Sequence, residues 1–350
     1  MTMTDLTPSD LRTSIDLSTE YLGLTLKNPL IPSSGPLTNN LDNIRQLEDA
    51  GASAIVLPSL FEEELIHEQE QMARFLHQQD IGHNEADTFL PLPDNYTSHL
   101  DKILALVSSC KHSLDIPVIG SVNGISPSGW IECALDLQQA GCDAIELNLY
   151  SVAADAKKTG STVEDEFLQL VDILTNEVSI PVTVKLSSQF SSLSNFAQQL
   201  QHKGAEGVVC FNRFFQPDIN LETLTLSPTL ELSTPAESLL RIRWLALLKG
   251  QVELSLAATG GFHSHKEVIK ALLAGADAVY LCSILIQSGP RVLTEILANL
   301  LSWMEEKEYN SIEQLKGSLS YHKAASPSVY ARGNYLEVMD SYSPSKGVKV

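Results

Sequence analysis

One phrase occurs four times in this chain: AGASAIVL at 50–57, AGCDAIEL at 140–147, KGAEGVVC at 203–210 and AGADAVYL at 274–281. Each joins the end of an amphipathic run to a short apolar one. Gly at such a junction supplies the left-handed cap of a helix, and the unbroken apolar run after it reads as a strand buried on both faces. The repeat therefore predicts helix-to-strand units packed in a parallel sheet.

Two further strands carry a different prefix, DIPVIGSVNG at 115–124 and SIPVTVKLSS at 179–188, and they alternate with the first set. PLIPSSG at 29–35 and VELSLAATGG at 252–261 bring the count to eight. Amphipathic runs such as LDNIRQLEDA, VEDEFLQLVDILTNEV and HKEVIKALLA separate them. Eight β/α units in 350 residues predict an α/β fold closed as a (β/α)8 TIM barrel, since closure removes both sheet edges. The competing open doubly wound sheet lacks its expected GxGxxG after the first strand.

The expected organisation is an N-terminal segment at 1–16, the barrel at 17–308, and a helical extension and polar tail at 309–350. Two insertions interrupt the repeat. Residues 61–93 read as a charged helix running into a long loop, and residues 213–236 as a small hairpin that roofs the site.

Charge narrows the partners. With 23 basic against 43 acidic residues the formal net charge is −20, which repels phosphate backbones and anionic lipid alike, so neither nucleic acid nor a membrane is expected. The first twenty residues lack the basic and apolar regions of a signal peptide, and a cytoplasmic location is expected. Cys110, Cys133, Cys142, Cys210 and Cys282 form no CxxC pair, so reduced thiols and no iron–sulfur or zinc site are expected.

In such a barrel the chemistry lies at the carboxyl ends of the strands. Those ends carry Ser33, Ser34, Pro58, Ser59, Ser121, Asn123, Asn148, Ser151, Lys185, Asn212, Arg213, Thr259, Gly260, Gly261, Cys282 and Ser283. Only Lys185 and Arg213 among them are charged. Lys185 ends an otherwise apolar strand, so its ammonium must meet either a barrel carboxylate such as Glu146 or an electron-rich ring. ATGG at 258–261 and CSI at 282–284 end the seventh and eighth strands, where such barrels hold phosphate on backbone amides. None of the nine histidines falls at a strand end, and paired carboxylates are missing there, so no metal triad and no glycoside hydrolysis are expected. A cofactor is expected to carry the chemistry.

Taken in order, NPLIPSSG at 28–35, GSVNG at 120–124, ELNLYS at 146–151, VKL at 184–186, CFN at 210–212, ATGG with LCSI, and GPRVLTEI at 289–296 resemble the dihydroorotate dehydrogenases, FMN-containing barrels, and among them the soluble class 1 type. The likeness spans most of residues 17–320. It implies FMN, with Ser34 and Ser59 beside the isoalloxazine ring, Lys185 at its N1/O2 edge, and Gly260, Gly261, Cys282 and Ser283 at its phosphate. It also implies that Asn148 and Asn212, with Arg213 next to them, meet a planar pyrimidine, and that Ser151 is the base which removes a proton as hydride passes to flavin N5. A homodimer is the expected assembly.

The chain departs from that pattern on the substrate side. Pro58 stands where the family has a lysine reaching flavin and substrate, Ala153 replaces a substrate-binding Asn, and the family's NSMGLPN segment has only DTFLPLPD at 87–94 to match it. Lys157 and Lys158 are alternative cations for a substrate carboxylate. Three readings stay open: oxidation of dihydroorotate, FMN-dependent chemistry on another dihydropyrimidine or unsaturated small molecule, and a non-flavin phosphate-sugar lyase or isomerase barrel or a non-catalytic FMN carrier.

Overall fold

A computed structural model describes residues 15–64, 66–68, 97–124, 130–214, 216–227 and 230–332. Most of the 61–93 insertion, DTFLPLPD at 87–94, the start of the N-terminal segment and the polar tail beyond 332 lie outside the described residues.

A short antiparallel hairpin comes first, β1 (Thr19–Tyr21) and β2 (Leu24–Leu26), followed by β3 (Leu30–Pro32), helix α1 (Leu41–Asp49) and β4 (Ile55–Phe61). Then α2 (His99–Ser113), β5 (Val118–Asn123), α3 (Trp130–Ala140), β6 (Ala144–Asn148), α4 (Gly160–Glu177), β7 (Val182–Leu186), α5 (Leu193–His202) and β8 (Gly207–Cys210) alternate without exception. A second hairpin, β9 (Asp218–Asn220) with β10 (Thr225–Ser227), precedes α6 (Ser238–Leu248) and β11 (Ser255–Thr259). The chain continues through α7 (His265–Ala274), β12 (Ala278–Leu281), α8 (Ser283–Ser288) and α9 (Val292–Glu306) to two short helices, α10 (Ile312–Leu315) and α11 (Ser328–Ala331).

Eight parallel strands form one sheet in the order β3-β12-β11-β8-β7-β6-β5-β4, and Ser53 N–H donates to Leu30 O across the remaining seam at 3.0 Å. The chain is a (β/α)8 TIM barrel. Its four repeated phrases do one job. Gly51, Gly141, Gly204 and Gly275 take φ of 115°, 109°, 86° and 125°, which ends the helix before each. Two residues later Ser53, Asp143, Glu206 and Asp277 donate their backbone N–H to Leu30, Val118, Val182 and Leu256 of the neighbouring strand, at 2.7–3.0 Å. That bond sets the register before the strand begins. The Asp side chains add a second, accepting from Val118 N and Leu256 N at 2.8 and 2.7 Å.

Strand residues pointing outward pack under the helices in one core, while those pointing inward form a second, smaller one. The first hairpin stoppers the inner core: Tyr21, Leu22 and Leu26 pack with Ile31, Val56, Ile119, Val209 and Tyr280. Gly207 lies where the stopper and wall meet. A Cβ there would stand 2.6 Å from Leu22 Cδ2 and 2.9 Å from Thr183 Oγ1. Gly207→Ala should therefore cost about 1–3 kcal/mol by overpacking. Urea unfolding measures it, and an unchanged midpoint would show that the hairpin does not seal the barrel.

β4 departs from regular pairing. Its register to β5 shifts between Val56 and Ser59, so Pro58 is the extra residue of a bulge, a place that tolerates its missing N–H.

Candidate active site

At the carboxyl end of the barrel is a cavity of about 500 Å³, within the range of small-molecule sites. Ten of the eleven residues singled out from the sequence line it: Ser34, Ser59, Asn148, Lys185, Asn212, Arg213, Gly260, Gly261, Cys282 and Ser283. They arrive from the ends of seven strands and meet only through closure. Ser151 is not among the lining residues. It follows Tyr150, which does line the cavity, in a loop whose next residue, Val152, is 60% exposed. Thr159, not Ser151, caps the helix that follows, by accepting from Thr162 N. Pro58 is also absent from the lining, and Lys158 lies outside it, bonded to both oxygens of Glu166 at 2.7 and 2.8 Å.

The floor is built around a buried ion pair. Lys185 Nζ donates to Glu146 Oε1 at 3.2 Å, and neither side chain is more than 8% exposed. The barrel carboxylate is thus the partner of Lys185 in the protein, and the ammonium still faces the cavity. Alternation explains the meeting: Asn148 pairs with Lys185 and Glu146 with Thr183 in register, so all four point inward. Glu146 Oε2 is buried without a hydrogen-bond partner among the described residues, an arrangement that costs about 1–3 kcal/mol. Ser121 Oγ donates to Glu146 Oε1 at 3.5 Å and lies 2.6 Å from Ser59 Oγ, and Ser59 N–H donates to Ser34 Oγ at 3.2 Å.

Beside this polar floor, Asn212 Nδ2 donates to Asn148 Oδ1 at 2.7 Å, with Asn123 nearby in the wall. Phe61, Tyr150 and Phe211 supply apolar surface, and Tyr150 meets Phe214 edge-on with centroids 4.5 Å apart. Arg213 is committed elsewhere: its Nε donates to Glu237 at 3.1 Å and its Nη1 to the Glu231 carbonyl.

The opposite end is an anion cradle. Gly260 and Gly261 take φ of 88° and 91°, and a Cβ on Gly261 would fall 2.4 Å from Ser238 N. Only glycine lets these segments approach so closely. Under Gly260 lies Arg241, 7% exposed, its Nε donating to Thr259 O and its Nη1 to Glu237 O, both at 3.0 Å. Burial pulls its pKa down, with Glu237 acting the other way. Those hydrogen bonds go to carbonyls rather than carboxylates, so a bound anion would supply a charge partner. Gly261 N–H donates to Ser233 Oγ at 3.1 Å, which donates to Ser283 Oγ at 2.9 Å and lies 3.2 Å from His263 Nε2. This set of backbone amide, hydroxyls, imidazole and guanidinium fits a phosphate monoester, and the adjoining cavity fits a planar ring. Cys282 sits between the two ends, its Sγ a weak donor to Ser34 O at 3.8 Å. Burial raises its thiol pKa, opposed by the Lys185 charge.

Arg241 and Ser233 were missed from the sequence. Both stand away from strand ends, in α6 and the segment before it, and only the tertiary fold carries them under the glycines. RIRW at 241–244 was the available signal: Arg241 lies on the buried side of its helix, with Leu245 one turn on.

Among the described residues no three His, Cys, Asp or Glu side chains are grouped to hold a metal, and no helix is long and apolar enough to cross a membrane. The cysteines are free, four of them buried.

Comparison with known proteins agrees with this architecture. The chain is 26% identical over 308 residues to a protein of Thermoplasma acidophilum named dihydroorotate dehydrogenase B (NAD(+)), catalytic subunit, covering 86% of this chain and 98% of that one. Proteins of the same name from Bacillus pumilus and Geobacillus kaustophilus are 27% and 25% identical over 321 and 297 residues, covering 88% and 80% of this chain and 98% and 91% of theirs. The family model described as dihydroorotate dehydrogenase matches residues 16–304, all eight barrel strands included, and the chain belongs to the dihydroorotate dehydrogenase family.

Proposed function

We propose that this chain is an FMN-dependent oxidoreductase that converts dihydroorotate to orotate. The anion cradle carries the reading: two glycines in left-handed conformation, with a buried guanidinium beneath them whose hydrogen bonds among the described residues go to carbonyls, line a ring-sized cavity with a cation at its floor. Gly260, Gly261, Ser283 and Arg241 would hold the phosphate, Ser34, Ser59 and Lys185 would border the ring, and bound FMN would supply the hydride acceptor.

The protein's own share is positioning and proton handling. Lys185 places a fixed positive charge in a site shielded from water, where it stabilises negative charge developing next to it. Asn148 and Asn212, linked to each other, offer a substrate amide one donor edge and one acceptor edge. Ser151 would take the substrate proton, which requires the loop after Tyr150 to turn its hydroxyl into the cavity. The aromatic wall excludes water. A cytoplasmic homodimer belongs to the same proposal, supported by the free thiols and by the exposed Ile219, Leu221, Leu224 and Leu226 of the second hairpin.

A second reading, oxidation of a different dihydropyrimidine or unsaturated small molecule, is favoured by Pro58 and by the commitment of Arg213 to Glu237 and Glu231. One anaerobic experiment separates them. Purified protein should be yellow and should bleach on addition of L-dihydroorotate; a yellow protein that only dithionite bleaches supports the second reading. A colourless protein that cannot be reconstituted with FMN overturns both.

Ser151→Ala should retain FMN and slow substrate-dependent reduction by about 100-fold or more, as for loss of a positioned base; stopped-flow rates equal to wild type would assign the base elsewhere. Gly261→Ala puts a Cβ 2.4 Å from Ser238 N, and should weaken FMN binding by at least about tenfold in a fluorescence titration, a loss of about 1.4 kcal/mol. Binding equal to wild type would remove the phosphate from this cradle.

A further inference from the structure

We propose that Glu146 is a positioning residue that sets the hydrogen-bond polarity of the cavity floor, holding Lys185 as a donor and making Ser59 an acceptor toward a bound ring. The inference rests on the FMN reading of the site and deepens it.

A carboxylate can only accept. Lys185 Nζ and Ser121 Oγ both lie within reach of the same oxygen, Oε1, at 3.2 and 3.5 Å. The Ser121 proton is therefore drawn toward Glu146, and the Ser121 lone pairs are turned toward Ser59, 2.6 Å away. Ser59 must then donate to Ser121, which leaves only acceptor capacity on the Ser59 oxygen that lines the cavity. Ser34 Oγ accepts from Ser59 N–H, so its own proton is available to the cavity. One buried charge thus orders two hydroxyls and an ammonium from three different strands, and Ser34 joins them through the Ser59 backbone.

Stability alone does not account for it. Glu146 is fully buried, its second oxygen has no partner among the described residues, and a pair of apolar side chains at 146 and 185 would fill the barrel without stranding a polar atom. The carboxylate also offsets the Lys185 charge, so the floor presents a directed donor and little net charge. A bound ring would be recognised through an acceptor edge facing Lys185 and an N–H facing Ser59.

The test is a double-mutant cycle read by the midpoint potential of bound FMN and by its dissociation constant. Glu146→Gln should shift the potential upward, because the Lys185 charge is no longer offset. In the Lys185→Met background the same change should shift the potential by a different amount, since the ammonium it would unmask is no longer there. Glu146→Asp, which keeps the charge but draws it back, should shift the potential in the same direction by less, and it carries the test where Glu146→Gln does not fold. Ser121→Ala cuts the hydroxyl chain and leaves the ion pair, so it should weaken FMN binding several-fold at unchanged potential. A potential unmoved by Glu146→Gln, a shift of equal size in both backgrounds, or wild-type FMN affinity in Ser121→Ala would overturn the proposal. Wild-type protein that takes no FMN at all overturns the FMN reading and this inference with it.

Discussion

Everything at the mouth of this barrel depends on a bond made at its other end. Four backbone amides, each two residues after a left-handed glycine, latch a new strand to its neighbour before the strand has begun. Since side chains alternate along a strand, a slip of one residue at that latch would turn every inward residue outward. The meeting of Lys185 with Glu146, and of Asn212 with Asn148, is a delayed result of where Asp143 and Glu206 dock. The barrel thus separates its tasks along the strand axis: the amino ends fix register, the middle supplies inert packing, and the carboxyl ends are free to vary in chemistry.

The electrostatics run against the composition. A chain with a net charge of −20 buries two cations, Lys185 at the floor of the cavity and Arg241 beneath Gly260 of its wall. One is matched by a carboxylate and the other by carbonyl oxygens, so they are poised for different tasks. Surrounding acidity repels stray polyanions, while a small phosphate ester that reaches the cradle meets a local field of the opposite sign.

What could be read from the sequence follows the range of the interactions involved. Helix ends, strands and their alternation are local, so AGADAVYL announces itself and the eight-strand count follows. Strand-end residues such as Asn148, Lys185 and Gly261 could be named because the barrel dictates that such positions share a mouth. The partners were harder. Glu146 could be named only as one of two choices for Lys185, since hydrogen-bond direction is not written in residue identity. Ser233 reaches the cradle through the insertion and Arg241 from the buried face of α6, and no strand-end position records either path. Ser151 is a different case: a motif position places it at the chemistry, while the loop after Tyr150 keeps it out of the cavity lining. The long segment after β4 carries sequence signals whose spatial outcome lies outside the described residues.

The bulge in β4 gives the inner wall a reading frame. Upstream of Pro58, Val56 points into the barrel and Leu57 under the helices; downstream, Ser59 and Phe61 point inward and Leu60 outward. The two stretches are in frame with the barrel only because one imino acid is skipped between them. Restoring regular pairing through that residue would act as a frameshift in three dimensions, with Leu60 facing the cavity and Ser59 the helices, whereas deleting it would remove the bulge and keep the frame. A single unpaired position therefore carries as much information about the cavity surface as the residues that form it, and comparison of barrels by aligned residue type alone would overlook it.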